Sequence, residues 1–188
     1  MTAVREEIVS KGRLFELVHL TQADGRVFEV ARRAPGVRLI IADKAAKRVL
    51  LTKEFRHELQ DWDYRLPGGK VFDSLEEFAA YREAKNDIVE AASSKAVAEG
   101  AEEAAVTIRS LELFKKSTLG ATVEWDLYVF EVTDWENAGS QMLEEGEMIE
   151  TDNWFDYEEA KKMILSGKVQ EERIGLVLLQ WITQEEGN

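Results

Sequence analysis

Cysteine is missing from all 188 residues. That excludes disulfides and thiolate metal sites, and it suits a reducing, cytoplasmic setting. Positive charge is scarce: 24 lysines and arginines stand against 37 aspartates and glutamates, a formal net charge of −13. Such a deficit argues against a broad nucleic-acid footprint and against a membrane-surface patch. An anionic small molecule would need local arginines or metal ions to invert the field. Long apolar runs are absent too. No stretch reaches the roughly 18 apolar residues that span a bilayer. The first residues, MTAVREEIVSKGR, lack an apolar signal core. His57 has no neighbouring nucleophile or acid pattern and reads as a surface residue. The rest is 45% hydrophobic and 32% charged, which fits one soluble domain over 1–188 with a proper core.

Strand signals come first along the chain. RLFELVHLT (13–21) and RVFEVARR (26–33) flank Gln22-Ala23-Asp24-Gly25, so a hairpin with an Asp-Gly turn is expected. VRLIIA (37–42) and RVLLTK (48–53) make a second pair, and 61–67 approach a glycine turn as another strand. Ser74-Leu75-Glu76-Glu77 has capping-box spacing, and Asp87 precedes an Ala-rich stretch running to about Ala104. Two helices are therefore expected there. Strands are expected over 106–114 and 122–133, an acidic loop at 143–147, and helices over 157–166 and about 171–183. The order predicts a mixed α/β sandwich.

Two pieces carry the chemistry. Arg65-Leu66-Pro67-Gly68-Gly69-Lys70 reads as a strand exit into a glycine turn. Ala98-Glu99-Gly100-Ala101-Glu102-Glu103 reads as a helix with carboxylates at i, i+3 and i+4, which share one face. Three carboxylates on one face repel. Solvent or a divalent cation relieves the repulsion, and hard cations such as Mg²⁺ take oxygen ligands.

These residues resemble the Nudix box: Gly, five residues, Glu, seven residues, Arg-Glu, an apolar residue, any residue, Glu-Glu, any residue, Gly. Gly69 stands at the first glycine, Glu90 at the first glutamate, and Glu99, Glu102 and Glu103 at the later acids. Twenty residues separate Gly69 from Glu90 rather than five, an insertion of fifteen. Ala98 stands at the arginine, Gly100 at the apolar position and Ala105 at the closing glycine. In the family that arginine helps hold the catalytic glutamates; Lys95, one turn before Glu99, is the candidate to replace its charge.

The resemblance implies a Nudix-type α/β/α sandwich with a mixed sheet and a helical insertion over about 72–89. It is nearest the ADP-ribose and nucleoside-diphosphate-sugar pyrophosphatases. That implies hydrolysis of a diphosphate bond with Mg²⁺, or Mn²⁺ in its place, giving a nucleoside monophosphate and a sugar phosphate. Glu99, Glu102 and Glu103 would be metal ligands, with the Gly68 carbonyl. The general base would be Glu147, with Glu145 second, or a box acid such as Glu103. Arg56, Arg65, Glu124 and Trp62 are candidate substrate contacts. Arg56 matches a phosphate bidentately, and Trp62 has a ring to stack. The branch also implies a homodimer through the hairpin at about 13–33. Two other functions remain open: a Nudix-fold nucleotide binder or sensor without turnover, and a hydrolase of another nucleoside diphosphate compound. Neither nucleic acid nor a membrane is an expected partner.

Overall fold

The computed structural model describes residues 5–143 and 145–187; Glu144 of the acidic loop lies outside them. The chain opens with an antiparallel sheet of β1 (Arg5–Lys11), β2 (Phe15–Thr21) and β3 (Val27–Arg33). Asp24 makes the expected β2–β3 turn: Gly25 is left-handed at φ 86°, and Asp24 Oδ1 accepts from the Arg26 amide at 3.1 Å. β1 was not expected. Every residue in it is exposed, so it has no apolar alternation and is held by pairing with β2.

β4 (Gly36–Ile40), a short β5 (Ala42–Asp43), β6 (Arg48–Arg56) and β7 (Asp61–Arg65) follow. Two helices come next, α1 (Leu75–Glu83) and α2 (Ile88–Glu102). Then come β8 (Val106–Ser117), a two-residue β9 (Val123–Glu124), β10 (Leu127–Asn137) and β11 (Ile149–Asp156), and finally α3 (Tyr157–Leu165) and α4 (Glu172–Gly187). β10 lies between parallel β4 and antiparallel β8; β6 pairs with β5, β7 and β11. β11 also went unforeseen; a bulge and the left-handed Asp152, at φ 66°, interrupt its pattern.

The central strands are buried on both faces, as strands covered by helices must be. Val37, Leu39, Ile41, Leu50, Tyr128 and Phe130 pack with Ala92 and Ala96 of α2. Ile40, Val49, Leu51, Leu127 and Val129 pack on the other side with Met163 of α3 and Leu178 and Trp181 of α4. Three layers result, with the core split by the sheets.

The insertion is ordered. Ser74 Oγ accepts from the Glu77 amide at 3.1 Å, and Asp87 Oδ1 accepts from the Val89 amide at 2.8 Å, so both expected caps form. α1 is tied to the N-terminal sheet. Lys11 pairs with Glu76 at 2.9 Å, Arg82 with Glu124 at 3.8 Å, and Phe72 packs on Phe78 and Tyr81.

Candidate active site

Small residues bring α2 close to the sheet. A Cβ on Gly100 would meet Ile108 Cδ1 at 2.5 Å, so a side chain there would force Ile108 to shift. The close approach carries the last turn of α2 to the glycine turn. That turn runs along β4: the Leu39 amide donates to Pro67 O and the Val37 amide to Gly69 O, both at 2.9 Å. Gly68 sits at φ 136°, and a Cβ there would strike the Val37 carbonyl. A Cβ on Gly69 would overlap the Glu99 carboxylate. Gly68 is therefore required by backbone conformation, whereas a side chain at Gly69 would displace the Glu99 carboxylate.

Glu103 is buried and accepts from the Gly68 amide at 2.7 Å. Burial, with Glu99 adding repulsion, pushes its carboxyl up to about 8. Burial also raises Glu99, partly offset by Lys95. Lys95 Nζ lies 3.1 Å from Glu99 Oε1 and 3.1 Å from Glu102 Oε2. Burial lowers the ammonium's pKa, but the two carboxylates outweigh it and hold it up at about 12. Lys95 thus brings a positive charge to two of the three acids. Ala105 is left-handed at φ 54°, a conformation that favours glycine.

A cleft of about 330 Å³ opens over these groups. The acids Glu99, Glu102 and Glu103 form one wall, with Gly68, Gly69 and Lys95; Arg33, Arg38, Arg56, Arg65 and Trp125 also line it, as does Glu147. The acidic loop is anchored to the end of α2: the Met142 amide donates to Glu102 O at 3.0 Å, and Gln141 Nε2 to Glu103 O at 2.6 Å.

The arginines differ in how far they are already engaged. Arg56 pairs with Glu54 at 2.6 Å and Glu58 at 3.2 Å. Arg65 is held by Glu54 at 2.8 Å, Glu171 at 3.2 Å and Asp63 at 3.5 Å. Arg38 is buried. It donates to the Gly68 carbonyl, its Nε has no partner among the described residues, and burial, with Arg65 nearby, lowers its pKa to about 10. Arg33 has no carboxylate partner among the described ion pairs. Its guanidinium lies 4.4 Å from the Trp125 ring and 5.2 Å from Phe15. Burial lowers its pKa; the Glu171 charge partly offsets this, and Arg56 and Arg173 add repulsion.

Several expected site residues lie elsewhere. Glu145 is exposed and does not line the cleft. Glu124 pairs with Arg32 at 2.8 Å and with Arg82. Trp62 packs edge-on against Phe55 at 5.6 Å, with Lys53 over its ring. Glu90 is exposed in the first turn of α2, and Ala98 is also outside the cleft wall. The cleft's aromatic residue is Trp125, whose buried Nε1 has no hydrogen-bond partner among the described residues.

The donor set is all oxygen and suits a hard cation. Among the described residues, no three His, Asp or Glu side chains already stand as a metal cage. The reason is visible: the Lys95 ammonium bridges Glu99 and Glu102, and Glu103 is turned to the Gly68 amide. Lys95 is a stand-in cation at those two acids. The Gly68 carbonyl already faces the Arg38 guanidinium, which disfavours a second cation on the same oxygen.

No family model matches this sequence, and no curated protein sequence matches it. Among solved structures, one described as an ADP compounds hydrolase is similar, with a TM-score of 0.67 at 17% identity, over 98% of this chain and 95% of that chain. A likeness at that identity concerns the fold. Together with the element order and sheet pairing, it gives this chain a Nudix-type α/β/α fold with mixed sheets.

Proposed function

We propose that this chain hydrolyses the diphosphate bond of a nucleoside diphosphate sugar or ADP-ribose, releasing a nucleoside monophosphate and a sugar phosphate. One observation carries the reading: a single cleft joins an acidic helix face, a glycine turn and an arginine, Arg33, that has no carboxylate ion-pair partner among the described residues and lies over Trp125. In a chain of net charge −13, that arginine is a ready anion receptor.

Glu99, Glu102 and Glu103 would hold Mg²⁺, or Mn²⁺ in its place. Such an ion supplies charge neutralisation of phosphate oxygens and a more acidic water. Arg33 would take a phosphate oxygen, since Arg56 and Arg65 are already spent on Glu54 and its neighbours. The Trp125 Nε1–H offers a donor within the same cleft. Glu147 lines the cleft and would take the proton of the attacking water. A homodimer is part of this reading. The N-terminal sheet leaves Ile8, Phe15, Val27 and Phe28 about half exposed and also lends Arg33 to the cleft.

A second reading, nucleotide binding without turnover, is favoured by the Lys95 bridge, which already neutralises part of the acidic face. A panel of nucleoside diphosphate compounds incubated with Mg²⁺, with products resolved chromatographically, separates the two. Mg²⁺-dependent cleavage to a monophosphate and a sugar phosphate supports hydrolysis. Ligand-induced thermal stabilisation with no cleavage across the panel supports the binder.

A further inference from the structure

α2 carries its own cation on the face that bears the acids. Lys95 and Glu99 are one helical turn apart, and Lys95 and Glu102 two turns apart, so all three return to one side. Lys95 Nζ lies 3.1 Å from an oxygen of each. Among the described residues it is the only cation ion-paired to Glu99, Glu102 or Glu103. The other cations lining the cleft are engaged elsewhere: Arg38 on Gly68, Arg56 and Arg65 on Glu54, Lys70 on Asp73, and Arg33 over Trp125. The Lys95 side chain is 30% exposed, so its ammonium reaches water by rotating its stem, without any movement of the helix.

We propose that Lys95 is a tethered counter-cation that competes with the divalent ion for Glu99 and Glu102. The proposal rests on the metal reading above. In the metal-free protein the ammonium relieves repulsion between the acids and keeps their side chains on the cleft face. An arriving divalent ion must break two ion-pair contacts and meets a like charge until the ammonium swings into solvent. Weak metal affinity follows from the residue that stabilises the site without metal. The position of Lys95, one turn before the acids, lets a single side chain do both.

The test is Mn²⁺ binding to the whole protein without nucleotide, followed by the loss of the free-ion electron paramagnetic resonance signal. Wild type, Lys95→Met, Lys95→Arg and Glu102→Gln are compared at neutral pH. Lys95→Met keeps the apolar stem and removes the charge. It is expected to bind Mn²⁺ about five- to tenfold more tightly than wild type. Lys95→Arg keeps the charge and is expected to stay near wild type, while Glu102→Gln loses affinity. Circular dichroism verifies folding, and Lys95→Gln replaces a Met variant that fails to fold. Equal or weaker binding by Lys95→Met, with binding still lost in Glu102→Gln, overturns the proposal and leaves the metal reading standing. Absence of Mn²⁺ binding in both wild type and Lys95→Met overturns both.

Discussion

Replacing Glu103 by Gln should stabilise the metal-free protein at alkaline pH while ending metal-dependent turnover. Glu103 is buried, and its carboxyl is pushed up to about 8 from an ordinary 4.5. Because the folded pKa is the higher one, the folded state holds a proton that the unfolded chain has released. Stability from this group is therefore complete below about pH 4.5 and is lost as pH rises towards 8. At about 1.4 kcal/mol per pKa unit, the loss approaches about 3 kcal/mol at pH 7 and about 4 kcal/mol at pH 8, as upper figures. Gln has nearly the same shape, its carbonyl still accepts from the Gly68 amide, and it never ionises. Its cost should be small at pH 5 and its advantage should grow across the same window. The assay is a series of thermal melts in chelator from pH 4.5 to 8.5, wild type beside variant. The general repulsion of an acidic chain is common to both, so their difference isolates Glu103. Parallel melting curves across the series would refute the buried, raised carboxyl.

Arg33→Gln should raise KM for the diphosphate substrate about tenfold with little change in Tm, because among the described residues the guanidinium has no ion-pair partner to strand; steady-state kinetics with an unchanged KM would remove Arg33 from the anion site. Arg32→Met should cost about 3–5 kcal/mol in urea denaturation, since Arg32 is the partner of buried Glu16 as well as of Glu6 and Glu124; a loss under 1 kcal/mol would show that the cluster is relaxed by water. Multi-angle light scattering should find a dimer at micromolar concentration and a monomer for Phe28→Glu, which places a charge among the half-exposed apolar side chains of the first sheet; a monomeric wild type would rule out that interface.

Local features of this protein were legible in its sequence because local hydrogen bonds determine them. The Asp24-Gly25 turn, the Ser74 cap and the Asp87 cap each need partners within a few residues, and all three form. The acid spacing of α2 needs only helical geometry, and that spacing places Glu99, Glu102 and Glu103 beside one cleft. Apolar runs marked the central strands, whose two faces meet different helices. β1 has no buried face, and β11 is broken by a bulge, so neither carried such a signal. Partner choice was decided only in three dimensions. Arg32 claims Glu124 from 92 positions away, which leaves that acid outside the cleft. Glu54 engages both Arg56 and Arg65, while Arg33, at the end of a strand from another sheet, has no carboxylate ion-pair partner among the described residues. Trp125 rather than Trp62 lines the cleft, because Trp62 is drawn against Phe55. Residue type fixes what a side chain is able to bind; packing of distant segments decides which of those bonds is already made, and so which group is left for a ligand.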